Sequence, residues 1–94
     1  MLVDAENVRR SLWPNMPKDE LVTLSEAWGD AEGHRVIVVW EGGESADDQI
    51  ARQVGELEPP VWVITSDRAL RDRVATQAER IIGGGSFART MRTR

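Results

Sequence analysis

Val36-Ile37-Val38-Val39-Trp40 is an almost unbroken β-branched run, and it passes through Glu41-Gly42-Gly43 into Glu44-Ser45-Ala46-Asp47-Asp48. A strand wetted on one face alternates apolar and polar residues. A continuous run of this kind belongs to a strand covered on both faces, as in a parallel sheet. The pattern predicts a strand over residues 35–40, closed by negative charge. Two other segments repeat it. Leu2-Val3 gives way to Asp4, with Glu6 and Asn7 just beyond, and Val61-Trp62-Val63-Ile64 runs into Thr65-Ser66-Asp67.

Helical spacing fills the intervals. Asp19 to about Ala31 predicts a helix with Leu21, Leu24 and Trp28 on one face. Glu44 to Leu57 predicts a second, with Ile50, Val54 and Leu57 inward, and Asp67 to about Glu79 a third, with Leu70, Val74 and Ala78 inward. Residues 1–4 read as the first strand, 61–65 as the third and 80–82 as a short fourth. Trp13-Pro14 and Met16-Pro17 predict a loop over residues 5–18, and residues 86–91 read as one helical turn.

The resulting order, β-α-β-α-β-α-β, predicts an α/β fold. It is a small three-layer sandwich, one domain over residues 1–94, with a four-stranded parallel sheet between helices. Right-handed crossovers make 2-1-3-4 the most economical strand order. Asp4 and Asp67 then flank the topological switch point, where such sheets bind ligands, and Asp47 and Asp48 overhang the same crevice.

Composition narrows the chemistry. With 94 residues, 40% hydrophobic and 30% charged, the chain reads as a single soluble globule. It has no cysteine, which excludes disulfides, zinc-thiolate sites and thiol nucleophiles. No apolar stretch approaches the roughly 18 residues of a membrane span, and no signal-peptide pattern opens the chain, so a cytoplasmic protein is expected. The net charge of −4 is unevenly spread. Residues 1–65 carry thirteen acidic against five basic side chains; residues 66–94 carry seven arginines against three acids. An acidic pocket beside an arginine-rich segment suits a metal and a polyanion together.

Each acid also has a purely structural use. Ser45-Ala46-Asp47-Asp48 is close to a capping box, and Asp67 reads equally well as a helix N-cap. Asp4 resists that explanation, because an acid closing a buried strand is costly without a partner. Carboxylates gathered at one sheet edge repel one another, and a divalent cation held through oxygen relieves the repulsion. His34, the only histidine, reads as a solvent-exposed loop residue on the opposite edge. Gly83-Gly84-Gly85 lacks the P-loop pattern and reads as a flexible turn. Trp13 is a candidate for stacking on a base. The only lysine, Lys18, lies in an early loop, which argues against a phosphoacceptor of the receiver type. Arg9, Arg10, Arg68 and Arg71 fall near the predicted crevice, where they could grip phosphates.

Val3-Asp4-Ala5-Glu6-Asn7-Val8, Glu44-Ser45-Ala46-Asp47-Asp48-Gln49-Ile50 and Thr65-Ser66-Asp67-Arg68-Ala69-Leu70 follow one another in register over nearly the whole chain. Together they resemble the YacP-like branch of the NYN domains, relatives of the PIN-domain ribonucleases. The resemblance implies a PIN-like fold and an Mg²⁺- or Mn²⁺-dependent ribonuclease, endonucleolytic, with RNA as substrate and the ribosome as a second candidate partner. It implies a metal site of Asp4, Asp47, Asp48 and Asp67, with Glu44 as a further ligand and Asn7 and Ser66 in support. One departure stands out. Relatives typically end the second strand with Phe-Asp-Gly and make a longer excursion before the acidic helix; here Trp40-Glu41-Gly42 is followed by Gly43 alone. That compression motivates an alternative: a non-catalytic RNA- or ribosome-binding module on the same fold.

Overall fold

The computed structural model describes residues 1–93. Four parallel strands, β1 (Leu2–Asp4), β2 (Ile37–Val39), β3 (Trp62–Ile64) and β4 (Arg80–Ile82), form one sheet in the order β2-β1-β3-β4. The register pairs Val3 with Val38 and with Ile64, and Val63 with Ile81. This is the expected order. Alternation along the strands sends successive side chains to opposite faces. Val3 and Ile64 join Val8, Leu21, Phe87 and Met91 in one apolar core. Leu2 and Val63 join Ile50, Val54, Leu70 and Val74 in the other. Helices α1 (Ala5–Arg10), α2 (Lys18–Glu32) and α5 (Gly84–Arg92) cover the first face; α3 (Ala46–Glu56) and α4 (Arg68–Val74) cover the second. Both faces are sealed, which is why the strands carry so few polar residues.

Four local expectations give way. Residues 5–10 are helical rather than looped. Ala5 and Val8 are buried one turn apart, and Glu6 pairs with Arg9 at 2.8 Å and Arg10 at 3.2 Å along the helix surface. The prolines act only beyond the end of that helix.

The glycine triplet is not a free turn, because α5 begins at Gly84 and runs nine residues. Phe87, Ala88 and Met91 anchor it in the core. Gly84 itself is buried against α1: a Cβ there would lie 2.6 Å from Ser11 Oγ and 2.7 Å from Asn7 Oδ1. Only glycine permits that approach.

His34 is half-buried rather than solvent-exposed, its ring centroid 5.4 Å from that of Trp28 and 4.2 Å from that of Trp62. The fourth helix, α4, also stops at Val74, short of the expected Glu79, and a turn leads into β4. Among the described residues no helix is long and apolar enough to cross a membrane.

Candidate functional site

Every strand hands its chain to the same edge of the sheet, and a cavity of about 520 Å³ opens there. Asp4 comes from the end of β1, Glu41 from just after β2, Ser66 and Asp67 from just after β3, and Gly85 from the start of α5 after β4. Asp47, in the first turn of α3, and Glu6, Asn7, Arg10 and Ser11, from α1 and its end, complete the wall.

Asp4 is 4% exposed, and its Oδ2 accepts a hydrogen bond from Thr65 Oγ1 at 2.8 Å. Thr65 is fully buried, and the same hydroxyl accepts from the Asp67 N–H at 3.1 Å. Asp67 caps α4 by accepting from the Leu70 N–H at 3.1 Å through Oδ1. Its Oδ2 makes no hydrogen bond among the described residues. A second chain of bonds runs behind these. Asn7 Oδ1 accepts from the Ser66 N–H at 2.8 Å, and Ser66 Oγ accepts from the Gly84 N–H at 2.7 Å. The loop after β3 is therefore tied to α1 on one side and to α5 on the other. Glu41 is held over the mouth by the Ala46 N–H, which donates to Oε2 at 3.3 Å.

Repulsion in this cavity is only partly offset by the groups around it. Burial pushes the Asp4 carboxyl above the usual carboxylate range; Asp47, Asp67 and Glu41 push it further, against the opposing Thr65 bond. Asp47 is raised by burial and then by Asp67, Glu41 and Asp48, with Arg73 opposing. Asp47 has no hydrogen-bond or ion-pair partner among the described residues. Carboxylates in this state gain from a nearby cation.

Not every expected residue reaches the cavity. Asp47 lines it; Asp48 does not. Successive helical residues point about 100° apart, so only one of the pair can face inward. Asp48 is 62% exposed and bound to Arg73 Nη1 at 3.0 Å, and that bond holds its carboxyl below the usual range. Glu44 is also turned to solvent, paired with Arg52 at 2.7 Å. Arg9 is tied back by Glu6 and by the Met16 carbonyl at 3.0 Å, leaving Arg10 as the arginine on the cavity wall. Arg68 and Arg71 lie exposed on α4, away from it. Trp13 is 88% exposed in the loop after α1, also outside the cavity.

Sequence reasoning passed over Glu41 and Thr65 as site residues. Glu41 is the first residue beyond the apolar run of the second strand, and Thr65 is the polar residue closing the third. Those were the available signals.

The wall offers oxygen donors only, the chemistry of Mg²⁺ or Mn²⁺ rather than of a softer metal. Among the described residues no three carboxylate or imidazole side chains stand close enough to make a complete ligand set. Magnesium does not need one, since it keeps several waters and binds through one or two carboxylates. The donor chemistry therefore fits a hard divalent cation.

No family model and no curated protein sequence matches the chain. Among solved structures, the fold is similar to the crystal structure of a mutant form of Rae1 (YacP) from Bacillus subtilis. The TM-score is 0.82 at 22% identity, over 98% of this chain and 74% of that one. The likeness establishes a YacP-like fold.

Proposed function

We propose that this protein is a divalent-metal-dependent ribonuclease, cutting RNA internally in the cytoplasm. One observation carries the reading. Asp4, Asp47, Asp67 and Glu41 converge on one cavity at the C-terminal edge of the sheet, and burial together with mutual repulsion raises Asp4 and Asp47. A structural cap has no need of such a concentration. The YacP-like fold and the resemblance of the three acidic segments to NYN domains support the same activity.

One or two of Asp4, Asp47 and Asp67 would bind Mg²⁺ or Mn²⁺ directly and the others through its waters, with Glu41 beside them. When bound, such an ion acidifies a water to make the nucleophile and offsets charge on the phosphate in flight. The chain supplies the rest. Thr65 fixes the Asp4 rotamer and the start of the Asp67 loop with one hydroxyl. Asn7 and Ser66 hold that loop against α1 and α5. Arg10, on the cavity wall and paired at the helix surface with Glu6, is placed to contact a flanking phosphate. No histidine or cysteine is required.

Asp67→Asn keeps the N-cap acceptor but removes the charge. Cleavage of single-stranded RNA in Mn²⁺ should fall at least a hundredfold with the melting curve little changed. Asp48→Asn should retain most activity, since its carboxylate faces Arg73. Full activity in the first variant, or loss in the second alone, would contradict the assignment.

The compressed link from Trp40 to Ser45 favours a second reading, the non-catalytic RNA- or ribosome-binding module. RNA titrations with and without chelator separate the two. Binding indifferent to metal, with no cleavage, selects the module.

A further inference from the structure

A second cavity, of about 410 Å³, lies on the α2/α5 side of the sheet beside the edge strand β4. Its aromatic side is a cluster of Trp28, His34 and Trp62, each ring in contact with the other two, with the indole centroids 6.4 Å apart. Trp28 is nearly buried, but Trp62 is only half covered. Arg80 places its guanidinium 4.9 Å from the Trp62 ring centroid and makes no ion pair among the described residues. Ser86 and Thr90, one turn apart on α5, supply hydroxyls on the opposite side, and both are exposed.

A cluster of aromatic rings closed off from solvent would be ordinary core. This cluster opens on a half-covered indole with an arginine over its ring and two hydroxyls, beside the Glu32 carboxylate, a combination suited to a planar base whose phosphate meets the arginine. The position is equally informative. Gly85 lines the acidic cavity and Ser86 lines this one, so the two follow each other along the first turns of α5. From Gly85 to Thr90 the helix advances roughly 7–8 Å. A strand whose phosphate sits among the carboxylates passes Ser86 and Thr90, on the wall of this second cavity, within a nucleotide or two.

We propose that the cavity formed by Trp62, Arg80, His34, Ser86 and Thr90 is a base-binding subsite for a nucleotide of single-stranded RNA flanking the scissile bond. The base stacks against the Trp62 side and Arg80 takes the adjoining phosphate. This rests on the RNA reading of the acidic cavity, but it predicts binding that needs neither metal nor cleavage.

The test uses the Asp67→Asn protein in EDTA, titrated with 5′-AMP and with a six-nucleotide oligoadenylate RNA. Indole N–H resonances are assigned by single Trp→Phe changes. The Trp62 and Trp28 resonances should shift, while those of Trp13 and Trp40 stay in place. Arg80→Glu, at an exposed position, should weaken oligonucleotide binding about tenfold. Ser86→Trp, which fills the cavity from the exposed side of α5, should do the same. Shifts confined to Trp13, no shift at all, or unchanged affinity in both variants would overturn the subsite. Failure of the enzymatic reading looks different. In that case the wild-type chain cuts no RNA in Mn²⁺ while the Trp62 resonance still responds to nucleotide. Conversely, if cleavage proceeds and Arg80→Glu leaves KM unaltered, the subsite falls and the ribonuclease stands.

Discussion

Thr65→Val removes one oxygen from the centre of the site and nothing else of size. The Thr65 hydroxyl is fully buried, donates to Asp4 Oδ2 at 2.8 Å and accepts from the Asp67 N–H at 3.1 Å. Losing a hydrogen bond to a charged acceptor costs about 1.5–3 kcal/mol, and stranding the Asp67 N–H costs about 1 kcal/mol more. The methyl that replaces the hydroxyl returns about 0.8 kcal/mol through apolar burial. The net destabilisation is therefore about 2 kcal/mol, roughly 10 °C in melting temperature for a chain of this length.

The cost should depend on pH. The Thr65 bond lowers the Asp4 pKa against the effect of burial, so it favours the ionised form. Removing it raises the Asp4 pKa further. The gap between wild type and variant is then widest above the Asp4 titration, and it narrows as acid protonates Asp4 in both proteins. Urea unfolding in metal-free buffer, repeated from neutral pH downward, reads this directly. A gap below about 0.5 kcal/mol at neutral pH would refute the reasoning, being no more than an ordinary surface substitution gives. So would a gap that fails to narrow in acid. In an Asp4→Asn background the same substitution should cost about half as much, since only a neutral bond remains to be lost.

Two further outcomes follow from the same geometry. Gly84→Ala brings a Cβ to 2.6 Å from Ser11 Oγ and 2.7 Å from Asn7 Oδ1, and should cost about 1–3 kcal/mol while loosening the Asn7–Ser66 bond. Gly85→Ala meets nothing closer than 3.7 Å and should stay within about 0.5 kcal/mol; equal losses in thermal melts would disprove the packing argument. The acidic cavity should also make metal-free stability fall as pH rises. A folded-state carboxyl pKa raised above its unfolded value of 3.8 means the folded chain holds more protons across that interval. The stability is present below 3.8 and lost as pH rises through the raised Asp4 value. The difference between wild type and Asp4→Asn isolates this from the oppositely shifted Glu6, Glu44 and Asp48; a difference flat with pH would rule it out.

The sheet was readable because its strands are sealed on both faces, and sealing writes itself into sequence as runs of Val and Ile. Strand order then followed from crossover handedness. What escaped is held by distant partners. The α5 helix starts on three glycines, which propensity reads as a turn, and only packing of Phe87 and Met91 against α2 and the sheet makes it a helix. His34 meets Trp62 across 28 positions of sequence, beyond the reach of any periodic pattern. The choice between Asp47 and Asp48 turned on helical phase. A shift of one residue in where α3 begins exchanges the inward for the outward carboxylate, and Ser45, whose Oγ accepts from the Asp48 N–H at 3.1 Å, sets that phase.

The compressed link after β2 gains a different meaning from this geometry. Its brevity motivated the reading of a non-catalytic module. Yet a short link is what lets Glu41 accept from the Ala46 N–H, the residue just ahead of Asp47. A longer excursion would free that carboxylate to wander with its loop. Here it is fixed between the end of β2 and the start of α3, adding its charge to Asp4 and Asp47. Glu41→Gln keeps an acceptor for Ala46 and removes only the charge. On the enzymatic reading it should weaken Mn²⁺ dependence several-fold without unfolding the chain. Unchanged Mn²⁺ titration of cleavage would show that the shortened link contributes a strut, not a ligand.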